Sequence, residues 1–270
     1  MMKSIVITGS TRGIGYAMAK AFLERDCRVV INGRNKESTR GALETLSEQY
    51  PSDQLAGAAA DVSNYDSVRH LWDESLAAFG KIDIWINNAG ISHEQAPPWL
   101  VPVNELQSII QTNILGELYG TRVAMQGFLD QGFGALYNVE GMGADGKTHG
   151  VKGLSVYGMT KAGLHYFNHC LAGEVDHPHI ITGALQPGMV LTDMILERYK
   201  DRPEDWESDR KILSMIASPV EDVAAWMADK ILKNVKNGVY FKYSNTWRML
   251  RRMARSFFRK KTSGKKINQK

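Results

Sequence analysis

The sequence predicts an α/β fold: a single doubly wound parallel sheet of seven strands with helices on both faces. Three observations carry that expectation. Short apolar runs of strand length alternate with longer amphipathic stretches of helical period up to residue 243. A glycine-rich turn follows the first run and leads into a helical pattern, and no repeat, linker or Pro/Gly-rich boundary divides the region. Strand–helix–strand units of this kind impose right-handed crossovers and a parallel sheet, with the ligand crevice at the strand C-termini. Chemistry is therefore expected in the loops after strands.

Along the chain the strand candidates are 3–7, 28–32, 55–60, 82–86, 134–139, 179–185 and 238–243. The first, Ser4-Ile5-Val6-Ile7, is followed by Thr8-Gly9-Ser10-Thr11-Arg12-Gly13-Ile14-Gly15 and a helical pattern through Arg25. In that setting Gly9 permits the sharp turn, Gly13 lets backbone approach a pyrophosphate, and Gly15 lets the helix pack on the sheet. The helix N-terminus offers free N–H groups to phosphate. The flanking strand and helix favour a dinucleotide loop over an ordinary tight turn. The second strand ends Asn32-Gly33-Arg34 without the carboxylate that NAD's ribose 2′-hydroxyl would want. Arg34 and Arg12 suit a 2′-phosphate instead, so NADP (NADPH) is expected over NAD. The plainer reading of Arg34 is a solvated surface arginine.

Further on, a long helix after the fourth strand contains Asn113, and Tyr157-Gly158-Met159-Thr160-Lys161 opens another helical pattern after the fifth. A Tyr and a Lys four residues apart share one helix face. The ammonium favours the phenolate, which suits Tyr157 to exchanging a proton with an alcohol or carbonyl. Near the end, Ser218-Pro219-Val220-Glu221 carries the cap, first-turn proline and capping-box acid of a helix start.

A Tyr-x-x-x-Lys spacing alone is weak, but this one accompanies Asp61-Val62 after the third strand, Asn87-Asn88-Ala89-Gly90 after the fourth and Pro187-Gly188 after the sixth. With these motifs residues 3–243 resemble the short-chain dehydrogenase/reductase family, which has a Rossmann-type fold. The resemblance implies that Thr8 through Gly15 hold the pyrophosphate, Asp61 and Val62 flank the adenine, and Asn88, Ala89 and Gly90 line the cofactor. It also implies Tyr157 as general acid, Lys161 on the nicotinamide ribose, and Asn113 completing a water-linked proton relay. Pro187 and Gly188 belong to the same cofactor wall, with backbone near Val190 and the Thr192 hydroxyl holding the carboxamide. No metal is implied. Residues 193–217 fall where the family has its variable substrate lid, and Met142, Met189 and Met194 suggest an adaptable apolar pocket or plain core filler.

One departure stands out. The family places a catalytic serine three residues after the asparagine that ends the fifth strand; here Asn138-Val139-Glu140 leads to Gly141. Losing such a donor typically costs on the order of 10² to 10³ in rate unless another group replaces it, and Thr148 and Ser155 are candidates. With this glycine, Asn138 through Gly143, Pro187 through Asp193 and the segment Ile212–Ile231 are similar to the chlorophyll b reductase branch. The implied function is an NADP(H)-dependent oxidoreductase interconverting a carbonyl and an alcohol, with a lipophilic substrate suited to the pocket. The alternative is an NADPH-binding regulator or scaffold with little turnover.

Composition agrees. Of 270 residues, 43% are hydrophobic and 23% charged, which excludes disordered, collagenous and disulfide-scaffold classes. Cys27 and Cys170 lie far apart, no apolar run nears the ~18 residues of a spanning helix, and no charged-then-apolar leader precedes Lys3, so a cytoplasmic protein is expected. The formal charge of +4 hides a segregation: residues 242–270 hold eleven Lys or Arg and no acid, leaving 1–241 at −7. Residues 1–243 are thus expected to form one domain, 244–260 a basic amphipathic helix and 261–270 a disordered basic tail. That helix would dock on the body or a second subunit, or lie on an anionic membrane surface, with nucleic acid the least favoured partner. The resemblance implies a homodimer or homotetramer through the helices near 103–130 and 155–174.

Overall fold

The computed structural model describes residues 2–141, 151–192 and 217–243, together with Ala144, Glu204, Arg210 and Leu213. The expected lid at 193–217 falls largely outside the described residues. The segments 244–260 and 261–270, and Met142, Thr148 and Met194, fall wholly outside them.

The strands are β1 (Ser4–Ile7), β2 (Arg28–Gly33), β3 (Leu55–Ala59), β4 (Ile84–Asn87), β5 (Gly134–Val139), β6 (Ile180–Gln186) and β7 (Val239–Lys242). They form one seven-stranded sheet in the order β3-β2-β1-β4-β5-β6-β7, every pair parallel. The chain builds outward from β1 to β3, crosses back, and builds from β4 to β7. The switch point therefore lies between β1 and β4, where a doubly wound sheet opens its crevice.

Helices among the described residues are α1 (Gly13–Leu23), α2 (Lys36–Ser47), α3 (Tyr65–Phe79), α4 (Val103–Ile110), α5 (Gly116–Gln131), α6 (Ser155–Glu174) and α7 (Val220–Lys233). Alternate residues of each strand point to opposite faces. Ile5, Ile7, Val29 and Ile31 meet Met18 and Phe22 of α1 and Val223 and Met227 of α7. Val6, Val30, Trp85 and Leu136 meet Leu71 and Trp72 of α3 and Val123 and Phe128 of α5. Because both faces are covered, the central strands read as unbroken apolar runs rather than alternating ones. Trp72 and Phe128 pack edge-to-face at 5.4 Å, so Phe128→Ala is expected to cost about 3–5 kcal/mol through the cavity it leaves.

Six of the seven strands differ from the expected bounds by one or two residues at an end, and three departures have a local cause. The fourth strand starts at Ile84 rather than 82, because Gln131 and Asp83 hold the approach. The Gln131 side chain accepts from Ile82 N, and the Asp83 carboxylate accepts from Ser4 N and from Lys81 Nζ. The long helix over 103–130 is interrupted by a π-turn, Gln111–Leu115. The added residue turns Asn113 inward, where it is 1% exposed. Its Oδ1 accepts from Ile91 N (2.8 Å), and its Nδ2 donates to Ile91 O (2.9 Å) and Thr160 Oγ1 (3.1 Å). Finally, Ser218 does not cap α7: it bridges in parallel to Val190, and Pro219 precedes the first helical residue without a side-chain cap.

Candidate active site

The ends of β1, β2, β3 and β4 are stitched together by four polar side chains. Thr8 Oγ1 accepts from Asn88 N (2.9 Å) and Ala89 N (3.1 Å), while Asn88 Nδ2 donates to Thr8 O (2.9 Å) and Gly9 O (3.0 Å). Ser10 Oγ donates to Ile7 O (2.8 Å) and accepts from Asn32 N (2.9 Å). Asn32 reaches both ways, accepting from Gly9 N at 3.1 Å and donating to Ala58 O at 3.0 Å. A buried polar group must be partnered to be tolerated, and these groups partner one another.

Two glycines hold the loop against this framework. Gly9 lies at φ +63°, and a Cβ there would meet Ala89 Cα at 2.9 Å. At Gly15 a Cβ would be 2.5 Å from both Asn88 Nδ2 and Gly9 O. The side chain of Arg12, the N-cap of α1, makes no capping hydrogen bond, and the first-turn residues Gly13, Ile14 and Gly15 line the cavity above the switch point. A cradle that any Cβ would fill, with a helix N-terminus aimed into it, fits a phosphate-bearing dinucleotide.

The cavity measures about 1140 Å³, above the usual span of ~300–1,000 Å³ for a single small ligand, which suits a dinucleotide together with a substrate. Toward β2 it is lined by Arg34, Asn35 and Ser38; above the switch point by Gly9, Thr11, Arg12, Asp61, Val62, Asn88, Ala89 and Gly90; toward β5 and β6 by Tyr157, Lys161, Pro187, Gly188, Val190 and Thr192. Thr8, Ser10 and Asn113 do not line it but brace its wall. Asn35 and Ser38, unremarked in the sequence, form the N-terminus of α2: Asn35 Oδ1 accepts from Ser38 N at 2.9 Å. The signal for them was a cap residue directly after Arg34.

Tyr157 and Lys161 both face the cavity from α6. Lys161 is 6% exposed and its Nζ donates to Val139 O at 3.2 Å. Thr160, between them, donates to Tyr157 O (2.7 Å) and accepts from Asn113, which ties the π-turn to α6. A Cβ on Gly141 would stand 2.9 Å from the Tyr157 hydroxyl oxygen. Ser155, Gln95 and Lys152 also line the cavity.

Behind this wall lies a buried polar cluster that the sequence reading did not find. The Glu140 carboxylate faces His165 Nδ1 at 2.9 and 3.1 Å and accepts from Asn168 Nδ2 at 3.2 Å. Glu117, on α5, is buried: burial, helped by the like charge of Glu140 and opposed by Lys161 and a hydrogen bond with Asn168, leaves its carboxyl pushed up to about 8. The available signal was an acid at the end of an apolar strand, Val139-Glu140-Gly141, where no solvent is expected.

A doubly wound sheet with a glycine cradle at its switch point and a tyrosine–lysine pair across the same cavity is the architecture of a dinucleotide-binding protein. The chain belongs to the short-chain dehydrogenase family: the model of that family, short chain dehydrogenase, matches residues 3–203. It is 33% identical over 233 residues to chlorophyll(ide) b reductase NOL, a chloroplastic protein of Arabidopsis thaliana, covering 84% of this chain and 65% of that protein. It is 34% identical over 236 residues to 3beta-hydroxysteroid dehydrogenase 1 of Eggerthella lenta, covering 84% and 86%. The chain spans roughly 42% to 66% of the length of the chlorophyll(ide) b reductases it matches. Among solved structures it is similar to ElxO with NADP bound, at TM-score 0.77 and 26% identity over 90% of this chain and 97% of that one. A 3-ketoacyl-(acyl-carrier-protein) reductase from Brucella melitensis, complexed with NADH, matches at TM-score 0.75 and 27% identity over 89% and 96%.

Proposed function

We propose that the protein is an NADP(H)-dependent oxidoreductase that interconverts a carbonyl and an alcohol on a lipophilic small molecule. The observation that carries this reading is the placement of Tyr157 and Lys161 on the wall facing the glycine cradle, within one cavity. Bound NADPH supplies the hydride. Tyr157 gives its phenolic proton to the carbonyl oxygen, or takes one from the alcohol. Lys161, oriented by Val139 O, supplies the positive charge that stabilises the phenolate left behind and holds the ribose hydroxyls. Asn113 positions the loop at Ile91 and, through Thr160, the first turn of α6.

Arg34 beside the N-terminus of α2 favours a 2′-phosphate, since the guanidinium and the helix dipole there both select an anion. Gly141 offers no hydroxyl to the substrate oxygen, so we assign Ser155 as the replacement donor. Val151, Leu154, Met189 and Leu213 line the cavity with apolar surface, which supports a lipophilic substrate. The relatives named for a chlorophyll(ide) and a hydroxysteroid act on molecules of that character. Leu118, Leu129 and Tyr166 leave apolar surface exposed on α5 and α6, which supports a homo-oligomer through those helices, to be tested by sedimentation.

The lack of a hydroxyl at Gly141 favours a second reading, an NADPH sensor without turnover. NADPH consumption on a carbonyl panel by wild type and Tyr157→Phe separates the two. Turnover lost in the variant with NADPH binding kept supports the reductase; tight NADPH binding with no turnover in either supports the sensor.

A further inference from the structure

Glu140 occupies the position between two contacts that define the site: Val139, whose carbonyl accepts from Lys161, and Gly141, which abuts the Tyr157 hydroxyl. A buried carboxylate is unfavourable unless paired and hydrogen-bonded. This one, with its side chain 1% exposed, is held by His165 and Asn168, and its backbone N donates to Leu185 O at 2.8 Å. His165 and Asn168 follow Lys161 on α6 by four and seven residues, and Tyr157 precedes it by four, so the four side chains share one helix face. His165 is the outer end of the cluster: its side chain is 35% exposed and its ring meets Tyr240 of β7 edge-on at 5.3 Å.

We propose that Glu140 is a positioning residue, latched to His165 and Asn168, that fixes the 139–141 segment against α6 and so sets where Lys161 and Tyr157 stand in the cavity. The latch itself rests on geometry; its effect on turnover rests on the reductase reading above. An apolar side chain of similar volume would satisfy burial without partners, so packing alone does not call for a carboxylate here. The charged and titratable groups facing it are His165 and Lys161 from α6 and Glu117 from α5, with Tyr240 of β7 against His165. With His165 protonated the latch is an ion pair.

The test uses the full chain as wild type, Glu140→Gln, Glu140→Leu and His165→Asn. It compares kcat and the KM for NADPH, together with amide hydrogen exchange of 139–141 corrected for intrinsic rates. Glu140→Gln keeps volume and polarity but removes the charge. The expected result is a fall in kcat of about tenfold, the factor typical of one charge-assisted hydrogen bond, with KM for NADPH little changed. Exchange at 139–141 should rise about tenfold. Wild-type kcat and exchange in Glu140→Gln, or in Glu140→Leu, would show a filler and overturn the proposal. If the wild type turns over no carbonyl, the reductase reading fails and exchange alone decides the latch: faster exchange in Glu140→Gln upholds it and unchanged exchange overturns it. Should neither Glu140 variant fold, His165→Asn, changed at the half-exposed end, is read by the same criteria.

Discussion

The Tyr157 hydroxyl fills the space beside Gly141: a Cβ at 141 would lie 2.9 Å from the phenolic oxygen and 2.7 Å from Lys161 Cγ. A larger residue can enter only by displacing both side chains. Gly141→Ser, which restores the hydroxyl usual in the family, is therefore expected to lower kcat by about tenfold or more rather than raise it, since small misplacements of reacting groups cost rate steeply. Steady-state kinetics of the variant check this, and a raised kcat would show that Tyr157 has room to yield.

The anion-selecting end of the cavity is tested at Arg34. Replacing it by Asp removes a charge-assisted donor and adds a repulsive charge where the 2′-phosphate is proposed to sit. The kcat/KM ratio of NADPH to NADH should fall by about 100-fold, mostly through KM. An unchanged ratio would make Arg34 a solvated surface arginine.

Asn113 is tested through stability as well as rate. Asn113→Ala leaves Ile91 N and O without the partners they have at 2.8 and 2.9 Å. Each buried unpaired group costs about 1–3 kcal/mol, so the melting temperature should drop by several degrees and kcat should fall with it. A variant as stable as wild type would mean that the π-turn holds its shape without this side chain.

Glu117 gives a pH dependence of definite sign. Its carboxyl titrates near 8 when folded, against an ordinary value of 4.5, so between those pH values the folded state keeps a proton that the unfolded state has released. The stabilisation is full below about pH 4.5 and is lost as pH rises through about 8. Glu117→Gln, neutral at all pH, should lack this loss, on the order of a few kcal/mol. Denaturant unfolding of both proteins from pH 5 to 9 measures it, and parallel curves would show that Glu117 is charged throughout.

Much of the fold was legible because its strands are buried on both faces, so runs such as Arg28–Gly33 stand out against amphipathic helices such as α3. The cofactor cradle was legible because backbone constraints at Gly9 and Gly15 admit no side chain. The π-turn was not, since Gln111-Thr112-Asn113-Ile114-Leu115 has an ordinary helical composition and its extra residue is set by the tertiary pull of Ile91. The division of labour among Thr8, Ser10 and their neighbours depends on which way each hydroxyl turns, and sequence does not encode that locally. Glu140 and His165 are 25 residues apart, and only the packing of α6 on the sheet shows that they meet.

The central claim is that Tyr157 transfers the proton in an NADPH-dependent carbonyl reduction. It is tested most directly by following NADPH consumption by wild type and Tyr157→Phe across carbonyls from small aldehydes to steroids, quinones and formyl-bearing tetrapyrroles, with NADH in parallel. The account predicts wild-type turnover of at least one lipophilic carbonyl, faster with NADPH, and a loss of about 10² or more in the variant with NADPH binding kept. Undiminished turnover by Tyr157→Phe would contradict it.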